Sequence, residues 1–398
     1  MKVTLLFSKY ITDPTGASAV MKYLIEGKSI FNSNGVSISY LTRDDLYPKK
    51  KSNVYSSGKT RLYGLKAIVF NFIERYSRTN SICAILHRYI RSGRAAKAIV
   101  KKYLSLPSND DILFLHEIET CYYYLKYRKA NSNLKIVLVS HSSGDLYGTT
   151  KIDYPCLGKG LFKRYFDKRE SLVLSNIDKL GFVSESSMNY FNNKYCDFPI
   201  EKLFFSLNGI PDIKVEKRTI KKAQYNICCV ATVNERKGQR FIIDAMIRLP
   251  KDIINKIQVN IIGDGEIKEE LYCLCKEKGI DSNITFWGSR NDVPQLLAEN
   301  DIFILPSIDE GLPISVMEAM RQALPIVSTR VGGIPEMIED GVTGIFIEPS
   351  PDGVKSFFLS IDKYDWAEMG KKSRLLFENK FSISKMVKIY SDIFHQLV

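Results

Sequence analysis

The sequence predicts an α/β protein made of two doubly wound domains, and three observations lead there. The chain has 398 residues, too many for one ordinary core and suited to two. Short apolar runs such as Ile302–Leu305 and Tyr225–Val230 show no alternation, as strands of a parallel sheet covered on both faces should not. Between residues 211 and 222 the chain is charged and has no apolar periodicity, so it reads as a solvated linker. The expected division is a first domain over 1–212, a linker over 213–222, a second domain over 223–380 and a terminal helix over 381–398.

Composition narrows the class. Hydrophobic residues make up 45% and charged residues 25%, values of a soluble globular chain. No apolar run approaches the roughly 18 residues of a membrane span. The run at 3–7 is too short for a signal peptide core, so the expected location is cytoplasmic. Eight cysteines are scattered without a Cys-x2-Cys pair, and there are only four histidines. That pattern argues against zinc and for reduced, structural thiols. The net charge of +13 is concentrated: residues 48–102 hold 14 Lys or Arg against one acid, Glu74.

In the first domain, Lys2–Phe7 reads as a strand leading through Gly16 into a helix with Met21, Leu24 and Ile25 on one face. Residues 36–41 alternate apolar and polar and read as a second strand. Ala67, Ile68, Phe70, Phe72 and Ile73, then Ile82, Ile85, Leu86, Tyr89 and Ile90, form apolar stripes at helical spacing. Arg75, Arg78, Arg88, Arg91 and Arg94 fall mainly off them. Basic amphipathic helices of this kind suit an anionic membrane surface or a lipid-pyrophosphate acceptor; the alternative is a solvated face of helices packed on the core. No nucleic-acid motif accompanies the charge, so nucleic acid is not expected. Strands over 111–115 and 134–139 end at His116 and His141, where a cleft is expected; a lone histidine is more often structural. Helix, strand and helix follow through 172–186.

The second domain opens with Tyr225–Val230, then Thr232, Arg236, Lys237 and Gly238, then a helix through Phe241, Ile242, Ala245, Met246 and Leu249. A strand at 259–262 precedes Gly263-Asp264-Gly265, which lacks the third glycine of a dinucleotide fingerprint. Another strand, 284–287, ends near Arg290. The strand Ile302–Leu305 runs into residues 306–320, Pro-Ser-Ile-Asp-Glu-Gly-Leu-Pro-Ile-Ser-Val-Met-Glu-Ala-Met. Val316, Met317 and Met320 recur at helical spacing, so the loop ends at a helix N-terminus. In open α/β sheets ligands bind at such strand ends, and the free N–H groups there suit a phosphate. Glu310 and Glu318 bracket the turn. Carboxylates beside a phosphate repel it, so they are better suited to accept hydrogen bonds from neutral sugar hydroxyls; separately, each also reads as an ordinary solvated acid. Apolar residues Met386, Tyr390, Ile393, Phe394 and Leu397 recur at helical spacing in the terminal segment.

Glu310-x7-Glu318, Ala319-Met320, Leu324 to Ser328 and Val331-Gly332-Gly333-Ile334-Pro335-Glu336 together resemble the donor-site signature of the retaining glycosyltransferases of family 4, which have the GT-B fold. The likeness is close over 301–336 and weaker over nearly the whole chain. It implies two Rossmann-like domains facing each other across a cleft, with the terminal helix packing back on the first. It also implies that Glu318 holds the ribose hydroxyls, Glu310 the donor sugar, and His141 a place near the reacting centre. Gly16, Lys237 and the turn of Gly311, Leu312 and Pro313 are implied at the donor diphosphate. Arg290 is implied near the base. The family pairs an arginine with the lysine; here Thr232 stands in its place, with Arg236 as a possible substitute.

The expected function is transfer of a sugar from a nucleotide diphosphate sugar, a UDP-sugar, to a hydroxyl of a glycan or polyprenyl-pyrophosphate-linked acceptor. Configuration is retained, and the setting is capsule or O-antigen synthesis at the inner membrane face. Arg75, Arg88, Arg91, Arg94 and His116 are the acceptor or membrane candidates. No Asp-x-Asp occurs, so neither metal nor cofactor is expected, the nucleotide-sugar being a substrate. A GT-B epimerase or phosphorylase, or a non-catalytic glycan-binding paralogue, are the competing readings.

Overall fold

The computed structural model describes residues 1–13, 16–47, 60–129, 133–213 and 225–398. Residues 214–222 of the expected linker and residues 48–59 of the basic segment lie outside the described residues.

Twelve strands form two six-stranded sheets, parallel throughout. The first contains β1 (Lys2–Phe7), β2 (Ser37–Thr42), β3 (Ile112–Leu115), β4 (Lys135–Ser140), β5 (Lys179–Phe182) and β6 (Leu203–Phe205), in the order β2-β1-β3-β4-β5-β6. The second contains β7 (Tyr225–Val230), β8 (Ile257–Ile262), β9 (Ile284–Gly288), β10 (Ile302–Leu305), β11 (Ile326–Ser328) and β12 (Gly344–Phe346), in the order β12-β11-β10-β7-β8-β9. The unpatterned strands β3 and β10 are buried at every position, since helices cover both faces. β2 alternates at its start because it is an edge strand with one wet side.

Each sheet reverses its order once, between β1 and β3 and between β7 and β10. At such a point the connections leave in opposite directions and open a crevice beyond the carboxyl ends of the strands. The two crevices face each other.

The helix Ile383–His395 belongs to the second half of the sequence but packs on the first sheet. Phe394 is fully buried, 5.0 Å from the Phe114 ring and 6.3 Å from Phe31; Tyr390 lies 5.0 Å from Phe114. The chain is tied across there by Ile210 N–H donating to the Phe381 carbonyl at 3.0 Å.

The basic segment folds as helices Thr60–Tyr76 and Ser81–Arg88, a π-helical turn Tyr89–Gly93 and helix Arg94–Ser105. Its apolar stripes are only partly used inside. Ile73 and Ala84 are buried, whereas Ile68 is 69%, Phe72 58% and Ile82 66% exposed. No helix among the described residues is long and apolar enough to cross a membrane.

Replacing Phe394 with alanine empties a site between the two halves, so Phe394→Ala should cost about 3–5 kcal/mol of unfolding free energy. Chemical denaturation measures this; a loss well under 1 kcal/mol would mean that the terminal helix is not docked as described.

Candidate active site

A cleft of about 1050 Å³ runs between the sheets. From the first lobe, Gly16, Tyr23, His116 and His141 line it; from the second, Thr232, Arg236, Lys237, Arg290, the turn Glu310–Pro313 and Glu318. Residues separated by up to 300 positions therefore share one space.

At its centre is Glu310, 5% exposed. Its Oε1 accepts from Lys237 Nζ at 2.5 Å and from Ser307 Oγ at 2.7 Å, and Oε2 lies 3.7 Å from Arg236 Nη1. Burial alone would raise the carboxyl pKa; the Lys237 and Arg236 charges outweigh it and hold the group below its ordinary value. Arg236 also donates to the Asp309 carbonyl at 2.7 Å. The topology is the cause. Lys237 follows β7 and Glu310 follows β10, and these strands are neighbours at the switch point. Lys237 is thus the partner of a buried acid, an engagement that the spacing of residues does not reveal.

The helix Ile314–Arg321 begins at Pro313, and no side chain caps it. Its first N–H groups, at Ile314 and Ser315, border the cleft and offer the partial positive end of the helix to an anion. Glu318 stands one turn in and accepts from Tyr23 Oη of the other lobe at 3.4 Å. Burial raises the Glu318 pKa, and the nearby Arg321 offsets part of that. Tyr23 was missed in the sequence, although seven residues, two helical turns, separate it from Gly16.

Two glycines make the turn possible. A Cβ on Gly311 would lie 2.3 Å from the His141 carbonyl oxygen, so only glycine lets the two lobes meet there. Gly332 has φ +53° and its Cβ would be 1.6 Å from the Glu310 carbonyl oxygen. Asn208 closes the junction, its amide donating to the Leu312 carbonyl at 3.1 Å. Glu336 reaches the first lobe, where it accepts from Glu185 N–H at 3.0 Å, Ser186 N–H at 2.8 Å and Ser186 Oγ at 2.7 Å. That carboxylate sits at the N-terminus of helix Glu185–Lys194, where its charge is favoured.

On the first-lobe wall, His116 Nδ1 and His141 Nε2 are 2.8 Å apart. Burial moves the His141 pKa down to about 4 and that of His116 well below its ordinary value, so both rings are neutral at physiological pH. Arg290 borders the cleft with its guanidinium over Trp287, paired to Asp292 at 2.6 and 2.8 Å. Thr232 also lines the cleft, its carbonyl accepting from Gln239 Nε2 at 3.1 Å. Among the described residues, no group of three His, Cys, Asp or Glu side chains comes together as a metal site.

The acceptor and membrane candidates divide. Arg75, Arg91 and Arg94 are exposed and outside the cleft. Arg88 is not on the surface face expected for it: its side chain is 12% exposed, bound to Glu119 and Thr150 and flanked by the Tyr147 and Phe166 rings. The carboxylate that draws it inward is 31 residues away and belongs to another helix. His116 lines the cleft at the end of its strand. It is 5% exposed and packed among Phe114, Tyr390 and His141.

Comparison with known proteins agrees with this geometry. Residues 212–374 match the family described as "Glycosyl transferases group 1". The putative colanic acid biosynthesis glycosyltransferase WcaL of Escherichia coli K12 is 28% identical over 199 residues, covering 46% of this chain and 48% of that protein. An Escherichia coli enzyme named UDP-Gal:alpha-D-GlcNAc-diphosphoundecaprenol alpha-1,3-galactosyltransferase is 29% identical over 143 residues, covering 35% of this chain and 36% of its own. The chain spans less than half the length of these relatives. The crystal structure of Anabaena HepE in complex with UDP-glucose superimposes over 100% of both chains with a TM-score of 0.68 at 15% identity. The fold is therefore GT-B.

Two outcomes check the site. The His141 ring signals should titrate near pH 4, the value set by burial, and an NMR inflection near 6.5 would show that water reaches the pair. Lys237→Met strands the Glu310 charge and should cost about 3–5 kcal/mol of stability, most of it restored in the double variant with Glu310→Gln. Additive losses in the double variant would show that the two residues are not coupled.

Proposed function

We propose that this protein is a retaining glycosyltransferase of the family 4 type. It moves a hexosyl or N-acetylhexosaminyl unit from a UDP-sugar to a hydroxyl of a glycan or lipid-linked acceptor in cell-surface polysaccharide synthesis. One observation carries the reading: two carboxylates and an uncapped helix N-terminus converge on the interlobe cleft at the switch point of the second sheet. The family match over 212–374 covers the same region, and the names of the two relatives, one for colanic acid biosynthesis and one for a diphosphoundecaprenol-linked acceptor, support the setting proposed.

In this reading the donor diphosphate lies against Ile314 and Ser315, facing Gly16. Negative charge grows on it as the glycosidic bond breaks. The helix N-terminus and the Lys237–Arg236 pair are already oriented to meet that charge, which is where fixed dipoles favour a transition state. Glu310 offsets part of the positive charge of Lys237 and Arg236. Glu318 accepts from the ribose hydroxyls and Glu310 from the sugar. The neutral His141 ring adds a hydrogen bond near the anomeric carbon without adding a second cation. No resident metal or cofactor is required by this scheme.

The same reading places the protein peripherally on the inner face of an anionic membrane. Ile68, Phe72, Ile82 and Leu86 are exposed beside Arg75, Arg78, Arg91 and Arg94, and none of those arginines forms an ion pair among the described residues. Ser92, on the same turn as Tyr89 and Ile90, lines the cleft, so a lipid-borne acceptor seated on this face would be close to the donor. Each cation adds about 1 kcal/mol near such a surface.

Glu318→Ala should weaken UDP-sugar binding by about 1.5–3 kcal/mol, one to two orders of magnitude in Kd by calorimetry; wild-type affinity in the variant would refute the donor assignment. Acceptor-dependent release of UDP separates a transferase from a binding paralogue. The double variant Arg91→Glu/Arg94→Glu should lose sedimentation with phosphatidylglycerol vesicles while keeping its Kd for UDP-sugar. Undiminished sedimentation would remove the membrane from the scheme.

A further inference from the structure

The first-lobe wall holds a buried group whose role the donor site does not account for. His116 leaves the end of β3 and His141 follows the end of β4, adjacent parallel strands. Their rings are 5.1 Å apart, with His116 Nδ1 and His141 Nε2 at 2.8 Å. One of these nitrogens donates and the other accepts. Phe114 at 4.4 Å and Tyr390 at 6.3 Å, both edge-on, hold the His116 ring. Its Nε2 is buried and has no hydrogen-bond partner.

A neutral imidazole carries one N–H and one bare nitrogen. If His141 donated from Nε2, His116 would carry its own proton on the partnerless Nε2, and a buried N–H left without an acceptor bears its full desolvation penalty. If His116 donates from Nδ1, its Nε2 is only an unused acceptor. The second arrangement leaves His141 with its proton on Nδ1. Among the described residues that nitrogen has no hydrogen-bond partner, and its ring lines the cleft.

We propose that His116 is a positioning residue: it donates to His141 Nε2 and thereby makes His141 the Nδ1–H tautomer, presenting that N–H to the cleft as a hydrogen-bond donor for an oxygen of the bound sugar or acceptor. The tautomer stands on the geometry of the pair. Its use in turnover rests on the glycosyl transfer proposed above.

The test uses the whole protein labelled with 15N-histidine and two-bond 1H–15N correlation spectra. In the wild type, His141 Nδ1 should appear protonated and Nε2 bare; the reverse assignment overturns the proposal without any variant being made. His116→Phe fills the same space but cannot donate, and His141 should revert to Nε2–H. His116→Asn places an amide N–H near the lost Nδ1 and should retain the original tautomer. Turnover of UDP-sugar should fall about 100-fold in kcat in the Phe variant, the size of one positioned proton-bearing group, with KM for the donor unchanged and partial recovery in the Asn variant. A tautomer that switches with no change in kcat overturns the positioning role. Failure of every protein, wild type included, to turn over any UDP-sugar counts against the transferase reading, and the spectra still decide the tautomer.

Discussion

The cleft depends on a buried negative charge held between two loops. Glu310 has almost no contact with water, and a lone carboxylate there would be too costly to keep ionised. Lys237, Arg236 and Ser307 make it affordable, and in doing so they bind the loop after β7 to the loop after β10. Everything nearby inherits that constraint. The Asp309 carbonyl is held by Arg236, the turn through Gly311 is pressed against the other lobe, and the helix from Ile314 starts where its N–H groups remain uncapped.

The opposite wall works by the reverse principle. Burial there expels charge instead of balancing it, and His116 and His141 stay neutral. A ligand in the cleft would meet the Lys237, Arg236 and Glu310 cluster on one side and the neutral His116–His141 pair on the other. The contrast suits a substrate with an anionic half and a polyhydroxyl half. Glu336 and Asn208 tie the lobes at the edge of this space, which sets how far the walls stand apart.

Much of the architecture was legible in the residues themselves. Unpatterned apolar runs marked β3, β7 and β10 because a strand covered on both faces has no polar side to display. The terminal stripe of Met386, Tyr390 and Phe394 marked a helix with one buried face. The turn between Pro306 and Met320 was visible because its chemistry is local: a strand, glycine, proline and a helix start, in that order. Thr232, Arg236, Lys237 and Arg290 were picked out through the family resemblance; each lies just beyond a strand and lines the cleft. The short strand β11 was not read as a strand, being three residues long.

What the sequence determined by itself was the kind of protein this is: two parallel-sheet lobes and a strand-end loop that opens into a helix between two acids. Those features depend on residues within one or two helical turns of each other, and spacing along the chain records them faithfully. Partnership was decided only by the tertiary structure. Lys237 neutralises Glu310, Tyr23 meets Glu318, His116 bonds His141, and Glu119 draws Arg88 away from solvent. Each pair joins residues from different elements, and a charge or a ring nitrogen responds to its nearest neighbours in space. Which neighbours those are follows from strand order at the switch points and from the angle between the lobes, and neither is written in the local pattern.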